Sequence, residues 1–381
     1  MRIAFAMINC NRRDGSARPV NEVAERLARR GHDVHLFART AEDLDLMLVK
    51  WHRIPGPGWP AVLDFSSYNL LANLRFLRRD YEIIHSIGCN TLMANVVTIQ
   101  NIQPAKAKAM APFEKQQRLS LARRFTRRLY SIVTSRAEYK LYTARARQKL
   151  PVFLPVSRGV EAELRAHYAI GQAPVRIVPN AADTRIFHPV NEEERISWRA
   201  SVGISPDDFV GIFCGGEWGR KGLELAIRSV ALARQKRIKL FVAGDDPDQR
   251  RFRQMAADLD ITERIVFGGF RKDVSKALGA SDVFLFPSHY EAFSLATIEA
   301  AACGLPVLAS RINGTEDFIQ PGVTGEFIPY DAEEIGKLLD VLSANPARCR
   351  EMGNAARELV TRKYTWDHVA DLTEEAYKLA V

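Results

Sequence analysis

The run Val283-Phe284-Leu285-Phe286 is wholly apolar, four residues long, and closed by Pro287-Ser288. This is the pattern of a strand buried on both faces of a parallel sheet. Leu295, Ile298 and Ala302 then repeat at helical spacing until Gly304-Leu305-Pro306 stops the helix, and the apolar Val307-Leu308-Ala309 follows at once. The unit is strand, loop, helix, strand. It carries two carboxylates eight positions apart, Glu291 in the loop and Glu299 in the helix. They fall at the carboxyl end of a strand, where open α/β sheets bind ligands. Taken alone, the pair also fits a solvated loop Glu and a helix-surface Glu.

The same alternation runs through the chain and predicts an α/β fold of parallel sheets with helices on both faces. In the first half, strands are expected at residues 3–8, 34–38, 83–85, 96–99, 152–156 and 176–178. In the second half they are expected at 209–213, 239–243, 265–267, 283–286, 307–309 and 326–328. The first helix is well marked. Val20, Val23, Ala24 and Leu27 form one face, Arg29 and Arg30 suit its carboxyl end, and Gly31 suits a left-handed cap. The polar stretch Pro189-Val190-Asn191-Glu192-Glu193-Glu194-Arg195 is the natural hinge between the halves.

The chain has 381 residues, enough for two domains of ordinary size. Hydrophobic content of 47% and charged content of 26% are those of a soluble globular protein. Five scattered cysteines, with no Cys-x-x-Cys or His-bracketed spacing, indicate neither a disulfide framework nor a zinc site, and suit a reducing cytoplasm. The short apolar start runs directly into Asn9-Cys10-Asn11-Arg12-Arg13-Asp14-Gly15, which is a strand entering a polar loop and not a signal peptide. No apolar run approaches the roughly 18 residues that span a bilayer.

Several motifs share one order along the chain. Gly31-His32-Asp33-Val34 follows the first helix. Val178-Pro179-Asn180-Ala181-Ala182-Asp183 with Phe187 comes next, then Gly219-Arg220-Lys221-Gly222, then the Glu291/Glu299 pair with its Gly-Leu-Pro-Val continuation. Gly314, Gly322 and Gly325 close the series. Together they resemble the retaining glycosyltransferases of family 4, with Ala181 standing where that family usually has Gly. The resemblance implies the GT-B arrangement, two Rossmann-like doubly wound domains facing across a cleft. The expected division is an acceptor domain at residues 1–189, a nucleotide-sugar domain at 190–364, and a terminal helix at 365–381 crossing back to the first.

A retaining transferase must stabilise a diphosphate leaving group, and that charge is its largest electrostatic demand. Arg220 and Lys221 can supply the cations, Arg as a fork and Lys as a point charge. Adjacent residues on a regular helix diverge by about 100°, so both reach the phosphates only from a helix start or its loop. Backbone N–H groups of Phe293-Ser294-Leu295 would receive phosphate at a helix start. Glu299 is expected on the ribose hydroxyls and Glu291 on the transferred sugar, the roles that the resemblance also implies. Gly219 joins them as a donor contact. The base would be read near Gly269, Phe270 and Arg271, and UDP- and GDP-linked donors both remain open. Gly15-Ser16, after the first strand, would approach the donor phosphate or the acceptor, although a plain glycine turn fits as well.

No cofactor or metal is expected. Asp43-Leu44-Asp45, Asp246-Pro247-Asp248 and Asp258-Leu259-Asp260 look like cation-binding triplets, but each reads as a polar helix or loop away from the donor motifs, and the cationic pair does the work of a metal. His85 matches a strand-end His of the family; as a lone His it also suits a structural place. The family often has His where this chain has Gln100. Gln100 and its neighbour Asn101 can hydrogen-bond a sugar, but Gln cannot act as a base near neutral pH. In front-face transfer the departing diphosphate itself takes the acceptor proton.

Charge is concentrated. Residues 106–149 hold thirteen Lys and Arg against Glu114 and Glu138, a net +11 in a chain of +9. Apolar residues between them give amphipathic helices suited to an anionic membrane surface or an anionic acceptor, although a plain solvated helix face fits as well. Nucleic acid is the rival partner for so basic a patch, but no helix-turn-helix, zinc finger or RNP pattern accompanies it. With Gln100-Asn101 upstream, the stretch is similar to the lipopolysaccharide-core transferases of the family. The expected function is a cytoplasmic, membrane-peripheral, hexosyltransferase-type enzyme acting on an anionic glycolipid or polysaccharide precursor. The alternative is a catalytically weak GT-B scaffold that binds nucleotide sugar in a cell-envelope assembly complex.

Overall fold

The computed structural model describes residues 1–12, 15, 17–77, 80–116, 121–143 and 149–381. The chain forms two compact units, Met1–Asn180 with Trp366–Val381, and Ala181–Thr365. Each is built on one six-stranded parallel sheet.

In the first unit the strands are β1 (Arg2–Ala6), β2 (Asp33–Ala38), β3 (Lys50–Arg53), β4 (Ile83–Ile87), β5 (Val96–Ile99) and β6 (Val152–Pro155). Their order is β3-β2-β1-β4-β5-β6. The direction of strand addition reverses between β1 and β4, the place where doubly wound sheets open a crevice. The expected first strand over 3–8 ends at Ala6, and Asn9–Cys10 pairs separately with Thr40–Ala41. Strand β3 escaped the sequence reading because Lys50-Trp51-His52-Arg53 is a polar edge with no apolar run.

No strand forms at 176–178. That segment does lie along β6, with Arg176 N–H on the Phe153 carbonyl and Val178 N–H on the Pro155 carbonyl. Pro155 has no N–H to return a bond to Arg176, so the parallel ladder stays incomplete.

In the second unit the strands are β7 (Phe209–Cys214), β8 (Ile238–Ala243), β9 (Ile265–Gly269), β10 (Val283–Phe286), β11 (Val307–Ala309) and β12 (Gly325–Phe327). Their order is β9-β8-β7-β10-β11-β12, so the reversal falls between β7 and β10. Phe213, Leu240, Val242, Val283 and Leu285 fill the core beneath one face.

The boundary expected at residues 189/190 falls instead at Asn180/Ala181. The stretch read as a hinge is the capped start of the helix Glu192–Ser201. Asn191 accepts the Glu194 N–H at 2.8 Å, and Arg195 pairs with Asp282 at 2.7 Å. Polarity there reflects helix capping, not freedom. The second boundary falls at Thr365/Trp366. The helix Trp366–Tyr377 buries Trp366, Val369, Thr373 and Tyr377 in the first unit. Around it Arg26 meets Asp367 at 2.8 Å, and Arg30 and His32 meet Glu374 at 3.0 and 2.9 Å.

Four helices of the first unit matter below: α1 (Arg18–Arg29), α2 (Ala61–Phe76), α3 (Gln103–Gln116) and α4 (Leu121–Tyr142). Among the described residues, no helix is long and apolar enough to cross a membrane.

Candidate functional site

At the β7/β10 reversal the strand ends close tightly. Gly215, Gly244 and Gly269 follow or end β7, β8 and β9, all with positive φ. A Cβ on Gly244 would lie 2.5 Å from the Gly215 carbonyl oxygen, so no side chain fits there. Past Gly215-Gly216 the backbone at Glu217 is left-handed (φ 51°, ψ 50°), a conformation uncommon for a residue with a Cβ.

One helical turn, Trp218–Lys221, follows, and Gly222 (φ 80°) leads into the helix Leu223–Leu232. Trp218 anchors the turn. It is fully buried, its backbone N–H donates to Asp246 Oδ2 at 2.9 Å, and its indole N–H donates to the Gly215 carbonyl at 2.8 Å.

Arg220 and Lys221 leave this turn in different directions. Arg220 donates from Nη1 to Glu291 Oε1 at 2.9 Å and to the Tyr290 carbonyl, and from Nη2 to Glu217 Oε2 at 2.7 Å. Its own carbonyl accepts the His289 N–H at 2.9 Å. The guanidinium is thus largely enclosed and joined to the loop that carries Glu291. Burial works against its charge, but the Glu291 and Glu217 carboxylates outweigh that and raise its pKa.

Lys221 folds back over Gly215, with its ammonium 5.6 Å from the Phe286 ring centroid. It makes no salt bridge among the described residues. Lys221 and Glu299 both act on the buried Cys214 thiol. Burial pushes that thiol up, the negative charge of Glu299 adds to the shift and the positive charge of Lys221 opposes it, so both charges are felt at the end of β7.

Glu299 sits in the helix Leu295–Ala302, capped by Ser294, whose hydroxyl accepts the Thr297 N–H at 3.3 Å. Phe293 is buried against Gly314, where a Cβ would lie 2.9 Å from the Phe293 Cα. Gly219 stands mid-turn with open space where a Cβ would be. At the end of β9, the Gly269 carbonyl accepts the Gly244 N–H at 2.8 Å and the Phe270 N–H donates to Asp245 Oδ2 at 3.1 Å, leaving the Phe270 ring exposed. Arg271 is held by Asp273 through two bonds of 2.7 and 2.6 Å, so its charge is already matched.

The second unit therefore gathers Gly219, Arg220, Lys221, Glu291, Phe293, Ser294, Leu295 and Glu299 at one crevice edge, with Gly269 and Phe270 two strands along. The pair Arg220/Lys221 does not act as one clamp in this state, because Arg220 is committed to two carboxylates. Glu217, Trp218 and Asp246 escaped the sequence reading as parts of this site. Asp246-Pro247-Asp248, read as remote from the donor motifs, instead holds the loop of Arg220 and Lys221. The carboxylate that looked like a cation ligand caps a backbone N–H. No group of three His, Cys, Asp or Glu among the described residues is arranged to hold a metal ion.

In the first unit the expected contacts are dispersed. His85 is buried, with Nδ1 2.7 Å from the Tyr377 hydroxyl and Nε2 2.8 Å from Thr98 Oγ1. Both ring nitrogens are occupied, and burial lowers its pKa to about 3. His85 thus ties the terminal helix to the sheet and has no nitrogen left for a sugar. Gln100 and Asn101 follow β5 and are half-buried. Gly15 lies exposed on the loop after Asn9–Cys10, and Ser16 lies outside the described residues. Of the basic stretch, Arg118, Arg145 and Arg147 also lie outside them. Glu138 accepts the Gln103 N–H at 3.0 Å and the Tyr168 hydroxyl at 2.7 Å, and burial raises its pKa to about 7.

Residues 194–359 match the model of the glycosyl transferases group 1, and residues 13–186 match that of Glycosyltransferase Family 4. The chain belongs to glycosyltransferase family 4. A curated relative, the uncharacterized glycosyltransferase MJ1607 of Methanocaldococcus jannaschii, is 27% identical over 233 residues, or 60% of this chain and 60% of its own length. The chain thus spans about three-fifths of the length of the first curated relatives it matches.

Among solved structures, WaaG, a glycosyltransferase involved in lipopolysaccharide biosynthesis, superposes with a TM-score of 0.78 at 20% identity over 99% of both chains. Anabaena HepE, in complex with UDP and glucose, superposes with a TM-score of 0.73 at 16% identity over 99% of both chains. At these identities the likeness is one of fold, and the fold of this family 4 member is GT-B.

Proposed function

We propose that the chain is a metal-independent retaining glycosyltransferase of the hexosyltransferase type. It moves a sugar from a UDP- or GDP-linked donor to a membrane-associated, anionic glycolipid or polysaccharide precursor. The observation that carries this reading is the unmatched Lys221 ammonium at the β7/β10 crevice, with Glu291 and Glu299 on the adjoining loop and helix. A cation held without a carboxylate is what a diphosphate needs, and its contact strengthens as the leaving group gains charge. Phe293-Ser294-Leu295 offers backbone N–H groups at a helix start for a phosphate. Glu299 takes the ribose hydroxyls. Glu291, held in place by Arg220, takes hydroxyls of the transferred sugar.

In the reaction the bond from sugar C1 to the diphosphate oxygen breaks and the acceptor oxygen bonds to C1 on the same face. The departing diphosphate accepts the acceptor's proton, so Gln100 is not required as a base and serves with Asn101 as an acceptor contact. The lipopolysaccharide role named for WaaG supports a glycolipid acceptor, and the UDP and glucose bound by HepE support a nucleotide donor. The net +11 of residues 106–149 supports work at the inner face of an anionic membrane. Gln100 favours a second reading, the nucleotide-sugar-binding scaffold.

A panel of UDP- and GDP-sugars, run with chelator present, tests the proposal. One donor should raise the melting temperature and release nucleoside diphosphate slowly without acceptor. A donor that stabilises the protein but is never turned over, with or without membrane glycolipid, would favour the scaffold. If no donor does either, the site is misread.

A further inference from the structure

Helix α2 is apolar on both sides. Its inner face buries Val62, Phe65, Tyr68, Ala72 and Phe76. On its outer side Leu63, Leu70, Leu74 and Leu77, just past its end, are 57%, 61%, 47% and 65% exposed. Steps of seven, four and three residues put these four on one stripe. Arg75 is the only charged side chain exposed between Ala61 and Leu77 among the described residues. A helix with apolar side chains on both faces normally has something covering its second face.

The loop entering α2 exposes a further large apolar side chain. Trp59 is 78% exposed, yet its loop is built from beneath. Asp64 Oδ1 accepts the Gly58 N–H at 2.9 Å and Arg39 Nη1 at 3.0 Å, and Arg39 in turn holds Asn9 Oδ1 through Nη2 at 2.7 Å. A Cβ on Gly56 would lie 2.7 Å from Asp64 Oδ1, so the loop has room only for glycine there. The indole is displayed by a fixed scaffold.

Charge says what covers this face. Helix α4 packs beside α2, with Phe65 edge-on to Tyr130 at 6.0 Å between ring centroids. Its outer side exposes Arg123, Arg124, Arg127, Arg128 and Arg136, interrupted by exposed Phe125 and Ile132. A second copy of the chain would set this basic helix against itself, and nucleic acid has no use for a leucine stripe. An apolar strip flanked by arginines and carrying a displayed tryptophan matches an anionic bilayer, in which indoles sit at headgroup level and leucines reach the acyl boundary.

We propose that Trp59 and the Leu63/Leu70/Leu74/Leu77 stripe of α2 are the surface by which this chain inserts into an anionic bilayer. The α4 arginines engage the lipid phosphates alongside. This rests on the membrane reading above and moves its hydrophobic part to residues outside 106–149.

The full chain is tested on phosphatidylcholine vesicles with and without phosphatidylglycerol, some carrying bromine on the acyl chains. The wild type should sediment with the anionic vesicles, and bromolipid should quench a share of its fluorescence that is missing in Trp59→Phe. The double variant Leu70→Ser/Leu74→Ser should lose about tenfold or more in vesicle affinity while its circular dichroism and nucleotide affinity stay unchanged.

Wild-type binding with no quenching at Trp59, and equal binding by the leucine variant, would overturn the insertion surface and leave the electrostatic reading standing. A wild type that ignores anionic vesicles would overturn both. A wild-type dimer made monomeric by the leucine changes would assign the stripe to a second copy and overturn the proposal.

Discussion

Two neighbouring cations, Arg220 and Lys221, are set up for different work. Lys221 has no carboxylate partner among the described residues, so Lys221→Ala should lower turnover by about two powers of ten or more and weaken donor binding as well. Steady-state kinetics with the donor found in the panel would show it, and near-normal rates would remove Lys221 from the diphosphate site. Arg220 acts through Glu291 and Glu217.

The two glutamates divide by partner. Glu299→Gln should weaken binding of free nucleoside diphosphate, whereas Glu291→Gln should leave it almost unchanged and reduce sugar transfer. Calorimetry with nucleotide and intact donor measures both, and equal nucleotide losses in the two variants would refute the division. Glu291, Glu299 and Lys221 were legible as candidates through their resemblance to the family's motifs, since their spacing alone also fits solvated surface charges. The Arg220–Glu217 pairing was not, since it depends on a left-handed backbone at a non-glycine residue.

His85 and Glu138 predict opposed pH responses. Burial lowers the folded-state pKa of His85 from 6.5 to about 3. The unfolded chain therefore binds a proton that the folded chain does not, and stability is lost as pH falls below 6.5. Burial raises that of Glu138 from 4.5 to about 7, so its contribution is full below 4.5 and lost as pH rises toward 7. Between pH 4.5 and 6.5 the two offset one another. Glu138→Gln keeps an acceptor for Gln103 and Tyr168 and should uncover a loss of up to about 1.4 kcal/mol per pH unit on acidification. Urea unfolding from pH 7.5 to 5 would record it, and an unchanged slope would mean His85 is not buried neutral.

At the scale of elements, the turn Trp218–Lys221 shows how a four-residue segment is aimed. Alone it has too few hydrogen bonds to persist. The buried Trp218 indole and the Asp246 carboxylate both fix it at its first residue. Asp246→Ala should reduce kcat/KM by about tenfold, through loss of the bond to the Trp218 N–H and of the aim of Lys221, whereas Asp246→Asn keeps an acceptor oxygen and should recover most of it. Equal activity in both variants would show that the bond is not needed for aim.

Among strands, β5, β10 and β11 were legible to the residue, because runs such as Val283-Phe284-Leu285-Phe286 are buried on both faces. The polar edge β3 had no such run. The stretch 176–178 had one but lies against a proline. Helix α2 was hidden for a related reason, since apolar side chains on both faces leave no amphipathic contrast to read.

At the scale of the whole chain, two Rossmann-like units follow from the β–α alternation, but the boundary at Asn180/Ala181 does not. It was masked by Pro189–Arg195, whose charges look like a linker and in fact cap a helix. The terminal helix joins the first unit through buried Trp366 and Tyr377, and its surface ion pairs add little.

Retention at a metal-free diphosphate site fixes the stereochemistry of the product. Proton NMR of the glycoside formed from an α-linked nucleotide sugar, followed with chelator present, reads this directly. An α-configured anomeric signal is predicted, lost on Lys221→Ala. A β-configured first product, or transfer that stops when chelator is added, would contradict it.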